Sequence, residues 1–147
     1  MTSNEFFICL DKKMNDYPNL FLFRELEPKA TIKNESEIEN YLRAKLPPVY
    51  VAFQKTFGGG SFGFTELFSI APDSEYYVLG TQSNINIINN GFFPIFDDQT
   101  GGVYCFKKVG SYFLEEIYYI DFSLPDISIS LVKENFISLF NKLAFNL

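Results

Sequence analysis

The segment LPPVYVAFQKTFGGGSFGF, residues 46–64, decides how the chain is read. Pro47 and Pro48 close whatever helix precedes them, because the residue before a proline is pushed out of the α region and proline has no amide proton to give a helix interior. A helix can begin there instead. Pro48 suits a first helical position, and Val49, Tyr50, Phe53 and Phe57 beyond Leu46 lay one apolar stripe along the turns that follow. Gly58, Gly59 and Gly60 end that helix, since glycine takes the left-handed conformation of a helix C-terminus without steric cost. Phe62, Phe64 and Leu67 then open an aromatic stretch with strand character. The segment predicts a proline-started helix, a glycine hinge and entry into a sheet.

Upstream, Thr2 with Glu5 fits a capping box, and Phe6, Phe7, Leu10 and Met14 follow at helical spacing, which predicts an amphipathic helix up to about Asp16. Residues 17–19 close it. The apolar run 20–23 and the polar stretch 25–33 around Pro28 read as a connecting segment. Ser36 and Glu39 form a second capping-box pattern ahead of Ile38, Tyr41, Leu42 and Leu46, predicting a second helix that runs into the double proline.

Downstream the period changes. Polar and apolar residues interleave over 62–70, predicting one half-buried strand, and Pro72, Asp73 and Ser74 a turn. Residues 76–79 and 85–88 fit either a strand or a short helix. Asn89, Asn90 and Gly91 mark a turn into an antiparallel hairpin of 92–96 and 103–106 connected by 97–102, and Pro94 requires its strand to be an edge or to carry a bulge. Residues 112–122 form a long aromatic strand with Glu115 and Glu116 at its centre. One of the two must face inward, meet a bulge or lie beyond the sheet. Pro125 and Asp126 break the pattern, and Ser130 is placed to cap a last helix carrying Val132, Phe136, Leu139, Phe140, Leu143 and Leu147. Helices, a run of strands and a closing helix make an α+β fold: N-terminal helices and a mainly antiparallel sheet of about five to six strands with the C-terminal helix packed on it.

At 147 residues the chain is most simply one domain, 1–147, and its 18 Phe and 9 Tyr supply a large core. A net charge of −6 argues against a nucleic-acid backbone or an anionic membrane surface as direct partner and favours a basic protein. Cys9 and Cys105 are read as small buried apolar residues in a reducing compartment rather than as a disulfide. With no basic leader and no apolar run near the ~18 residues of a membrane span, the chain reads as cytoplasmic.

The order of a capped acidic helix, Leu46, Pro47, Pro48 and an aromatic helix, then Gly58 and Gly59, then Pro94 and Ile95 with Asp97 and Asp98 before Gly101 and Gly102, resembles the SUKH superfamily over about residues 31–145. The resemblance implies a non-catalytic α+β domain without cofactor. Many bacterial members are immunity proteins that bind and neutralise a toxin, often a nuclease, of polymorphic or contact-dependent systems. Related eukaryotic members act in cell-wall assembly and signalling.

The residues themselves offer little catalytic chemistry. There is no histidine, which removes the commonest general base and metal ligand together. Gly58 to Gly63 lacks the Lys-Ser/Thr of a phosphate loop and follows a helix instead of leading into one. Asp97, Asp98 and Thr100 suggest a calcium loop only superficially, because Gln99 stands where an alternating acid is needed. Recognition is the positive reading: carboxylates beside aromatics suit a partner's Lys and Arg. The candidate contacts are Asp73, Glu75, Tyr76, Tyr77, Asp97, Asp98, Glu115 and Glu116, and the expected partner is a basic, nuclease-like protein toxin.

Overall fold

The structure is a computed structural model that describes residues 1–22, 24–122 and 126–147. Phe23 and Pro125, read above within an apolar run and as a pattern break, lie outside the described residues. Each early helix starts where a side chain satisfies an orphan amide. At α1 (Ser3–Asp16) the Thr2 hydroxyl accepts from the Glu5 amide at 3.2 Å. α2 (Ile32–Leu42) starts earlier than the Ser36/Glu39 pattern predicts. Thr31 and Asn34 form a reciprocal capping box with both bonds at 3.0 Å, so Ser36 falls inside the helix. Glu39 turns inward instead. Its carboxylate accepts from the Leu46 amide at 2.7 Å and stands 3.5 Å from Lys45 Nζ. That bond folds residues 43–47 over the end of α2 and delivers the chain to Pro47 and Pro48, from which α3 (Pro48–Phe57) runs as predicted. Leu46 is buried, but outside the second helix.

Beyond Gly58, at φ 79°, the predicted strand over 62–70 is a hairpin. β1 (Gly60–Phe62) pairs with β2 (Thr65–Leu67) so that Phe62 opposes Thr65, and Gly63 makes the turn at φ 55°, a value side-chain-bearing residues rarely adopt. Helix α4 (Gln82–Asn89) takes up the ambiguous 85–88 run. β3 (Phe92–Asp97), β4 (Gly102–Val109) and β5 (Tyr112–Asp121) follow the predicted order, and β6 (Ser128–Val132) stands where the last helix was expected to begin. Residues 128–132, SISLV, alternate with period two, which is strand patterning. The closing helix α5 (Phe136–Phe145) is capped by Asn135, whose side chain accepts from the Ser138 amide at 2.8 Å; Leu147 lies beyond it, exposed. The sheet is six-stranded and antiparallel in the order β1-β2-β3-β4-β5-β6.

Two bulges set its faces. Between Pro94 and Phe96 the register shifts by one residue, so Phe93 and Phe96 both enter the main core at three-residue spacing. Pro94 therefore sits at a bulge, one of the two places its missing amide allowed. On β5 the pairing jumps from Ile117 to Phe113 while β4 moves from Phe106 to Lys108, which expels Glu115 and Glu116 to the surface. The main core joins α1, α2, α3 and α5 to the face carrying Phe93, Phe106 and Ile117. On the back, Ile87 of α4 meets Val103, Cys105 and Ile120. Cys9, expected to be buried, is exposed on α1.

Phe53 is fully buried and its ring lies 5.1–6.1 Å from those of Phe6, Phe7, Phe62, Phe136 and Phe140. Phe53→Ala is expected to cost about 3–5 kcal/mol in denaturant unfolding, whereas Phe64→Ala, at the exposed hairpin tip, stays within about 0.5 kcal/mol.

Candidate functional site

A groove of about 620 Å³ lies between the segment after α1 and the loop that follows β2. Its apolar wall is Leu20, Leu22 and Leu26, carried on two 3-10 turns, Pro18–Leu20 and Arg24–Leu26, and the residues between them, and all three leucines are exposed. Its acidic wall is Asp73 and Glu75 with Tyr76. The loop is fixed by a relay: the buried Ser74 hydroxyl donates to the Glu27 carboxylate and accepts from the Tyr76 amide at 3.0 Å. Arg24 is the only cation among the described residues lining the groove, and it is committed inward. Its guanidinium donates to the carbonyls of Gly59 and Phe57, the latter at 2.5 Å, and stacks 3.8 Å from the Phe62 ring centroid. Burial pulls it down to about 10, which leaves it charged at neutral pH.

The carboxylates around the groove outnumber this cation. Burial raises the Tyr76 hydroxyl, and the charges of Glu66, Glu27 and Glu75 raise it further. Glu66 in turn lies directly across from Asp97 in the β2–β3 register. Like charges opposed across an antiparallel pair are destabilising. The sheet end thus holds an acidic belt that its own lysines leave unneutralised: the ion pairs found among the described residues engage Glu35, Glu37, Glu39, Glu134 and Asp16.

Of the eight predicted contact residues, Asp73, Glu75 and Tyr76 line the groove together, and Asp97 joins them through Glu66. The other four stand elsewhere. Tyr77 faces α2, where Glu37 and Tyr41 add to the effect of burial in raising it. Glu115 lies at the start of α3 beside Pro47 and Pro48, and Glu116 is exposed on β5. Asp98 is occupied internally. One oxygen accepts from the Thr100 and Gly102 amides at 2.8 Å each, and the other accepts from the Tyr119 hydroxyl. A Cβ on Gly102 would run into that hydroxyl, which gives Gly102 a steric reason to be glycine.

Sequence reasoning missed Leu20, Leu22, Leu26, Arg24, Glu27 and Glu66. One signal was available: three leucines in a segment without either period, bracketed by Pro18 and Pro28, have no regular face on which to be buried. Among the described residues no group of three or more Cys, Asp or Glu is gathered to hold a metal ion, and no helix is long and apolar enough to cross a membrane.

A family model, SUKH_6, described as SMI1-KNR4 cell-wall, matches residues 32–140, the greater part of the chain. The chain belongs to the SUKH family. No curated protein and no solved structure gives a match to set beside it. The SUKH match begins at α2 and reaches into α5, so the leucine wall of the groove lies ahead of the matched residues while Asp73, Glu75 and Tyr76 lie within them.

The Asp98–Tyr119 bond makes a pH prediction. Burial works to raise Asp98, but the Tyr119 hydroxyl and the two backbone amides outweigh it and hold the carboxyl below its ordinary value. The same hydrogen bond, followed by burial, pushes Tyr119 up. Asp98 contributes stability above about pH 4 that is lost as pH falls through its depressed value. Tyr119 contributes below about pH 10, and this is lost as pH rises toward its raised one. Tyr119→Phe should cost about 1 kcal/mol between those limits and weaken the pH dependence at both ends, as read from urea midpoints across the range.

Proposed function

We propose that this SUKH protein is a non-catalytic binding domain of the immunity type, which neutralises a basic protein toxin, a nuclease, by occupying it stoichiometrically through the leucine groove and its acidic belt. The observation that carries the reading is the pairing of Glu66 with Asp97 beside Asp73, Glu75 and Tyr76, with exposed leucines facing the same groove. Unneutralised carboxylates cost stability in the free protein and gain from a partner's cations, while large apolar side chains inside a charged rim supply the desolvated anchors of an interface. Nucleases carry basic grooves for phosphate, and an acidic surface competes for that groove by charge. The absence of histidine from the sequence is consistent with function by occupancy.

The alternative is a regulatory domain that binds an endogenous partner, and the cell-wall description of the matched family favours it. Co-expression with the neighbouring gene's product separates the two: rescue from its toxicity and recovery of a complex support the immunity reading, and co-purification without toxicity supports the regulatory one.

With a cognate partner in hand, calorimetric titration should give a dissociation constant that rises with added salt. The double variant Asp73→Lys, Glu75→Lys should weaken binding by at least about tenfold, mainly through slower association, and Leu22→Asp should do so mainly through faster dissociation. A salt-independent constant, or wild-type affinity in both variants, would exclude the groove.

A further inference from the structure

At the opposite end of the sheet, β6 is an open edge: it pairs with β5 on one side, and among the described residues no strand pairs with its other side. Exposed edges are ordinarily blunted by charge, proline or a covering element, because their unpaired amides and carbonyls template another strand. This one carries no charge. Its five residues are SISLV, and Ile129 and Leu131 remain 51% and 48% exposed. The register places Ile129 beside Ile120 and Leu131 beside Tyr118, so the two continue the back-face cluster of Val103, Cys105 and Ile120 past the reach of α4.

We propose that β6 is the contact between two copies of this chain, paired antiparallel about a two-fold axis at Ser130. Three features select a second copy over the basic partner of the groove. First, a two-fold contact must be self-complementary, and pairing about Ser130 sets Ile129 against Leu131 on the back face at both ends and engages all five residues. Second, the flanks carry opposite net charge. The register brings Asp126 of one copy opposite Glu134 of the other, but that carboxylate is already paired with its own Lys142 at 2.9 Å, so the flank Lys133, Glu134 and Lys142 presents a net positive charge to Asp126. Third, a chain of net charge −6 repels its own copy, and an uncharged strip is where that repulsion is least, while it offers a basic partner no carboxylate. A single five-residue strand pair with its apolar row buries less than the about 1,600 Å² of a standard interface, so the dimer is weak and forms with rising concentration. The inference does not rest on the groove.

Sedimentation velocity of the purified full chain over a wide concentration series tests it with no partner present. The weight-average mass should climb from 16.9 kDa toward twice that value. Ile129→Lys and Leu131→Lys should each hold the monomer mass throughout, with circular dichroism and melting unchanged, while Ile129→Val should dimerise as wild type does. A positional readout guards against a lysine variant that unfolds. In a Cys9→Ser background, the Ser130→Cys thiol lies opposite its own copy at the ~4.5–5.5 Å Cα separation of an antiparallel pair, within disulfide reach, and oxidised glutathione should convert that variant to a covalent dimer; Cys105 is buried and stays out of the reaction. Wild-type protein that remains monomeric at every concentration, lysine variants that dimerise, or a Ser130→Cys variant that does not cross-link would each overturn the proposal. So would hydrogen exchange in which the β6 amides gain protection only on addition of a different protein.

Discussion

Burial of one face of α3 is the constraint on which the rest of the molecule depends. Tyr50 and Phe53 are fully enclosed, with the Tyr50 ring 5.5–5.7 Å from Phe93, Phe106 and Phe136, so a single helix touches the sheet at two strands and the closing helix at once. Large rings in tilted and edge-on contact contribute both buried area and orientation. The same helix also fixes the chain that leaves the sheet. The Gln54 amide, fully buried, donates to the Phe68 carbonyl at 2.9 Å and accepts from the Ile70 amide at 3.3 Å. Ser69 then exchanges backbone bonds with Tyr76 and Val78, at 2.8 Å each. Core packing thus passes through one polar side chain to the loop that presents Asp73, Glu75 and Tyr76.

Where local chemistry alone decides an element, the residues announced it. Pro48 at a first helical position and Gly58 at the end bracket α3 as expected, and the aromatic hairpin of β3 and β4 follows from its turn residues. The errors come where two local signals competed. Ser36 with Glu39 has the form of a capping box, but Thr31 with Asn34, which lacks the usual Glu or Gln, forms one a turn earlier, which leaves Glu39 to hold Leu46. Ser130 is a good cap residue inside a stretch of period two, and pairing with β5 settled it as strand. Glu115 and Glu116 had three permitted fates, and only the register of β4 against β5 picks the bulge. The site was legible in part for the same reason. Acids and tyrosines can be picked out along a chain, but whether a carboxylate meets a hydroxyl, as Asp98 does from the turn after β3, or another acid across the strand pair, as Asp97 does, depends on how the sheet is assembled.

The groove breaks local rules that the core obeys. Glu66 opposes Asp97, leucines stand in water, and the nearby cation is turned inward to cap α3 through the Phe57 and Gly59 carbonyls. Arg24 cannot neutralise the belt without abandoning those carbonyls, and its stacking on Phe62 ties it to the core. The surface is frustrated in the free protein, whereas the Arg24 guanidinium beneath it is held by two carbonyls and a ring, the arrangement that the proposed binding site calls for.

Geometry separates this surface from the uncharged edge. β1, beside the groove through Ser61, and β6 are the two ends of a six-stranded sheet. Five interstrand steps of about 4.8 Å place them roughly 24 Å apart. Glu66 on β2 and Asp97 on β3 are nearer, about four and three such steps from β6 or roughly 14–19 Å, and at physiological ionic strength, where the field of exposed charges decays over about 8 Å, their force there is weakened by about two decay lengths. The sheet that α3 assembles can therefore carry two contacts of opposite chemistry: the charged one proposed for a basic partner, and an edge strand whose own five residues are uncharged.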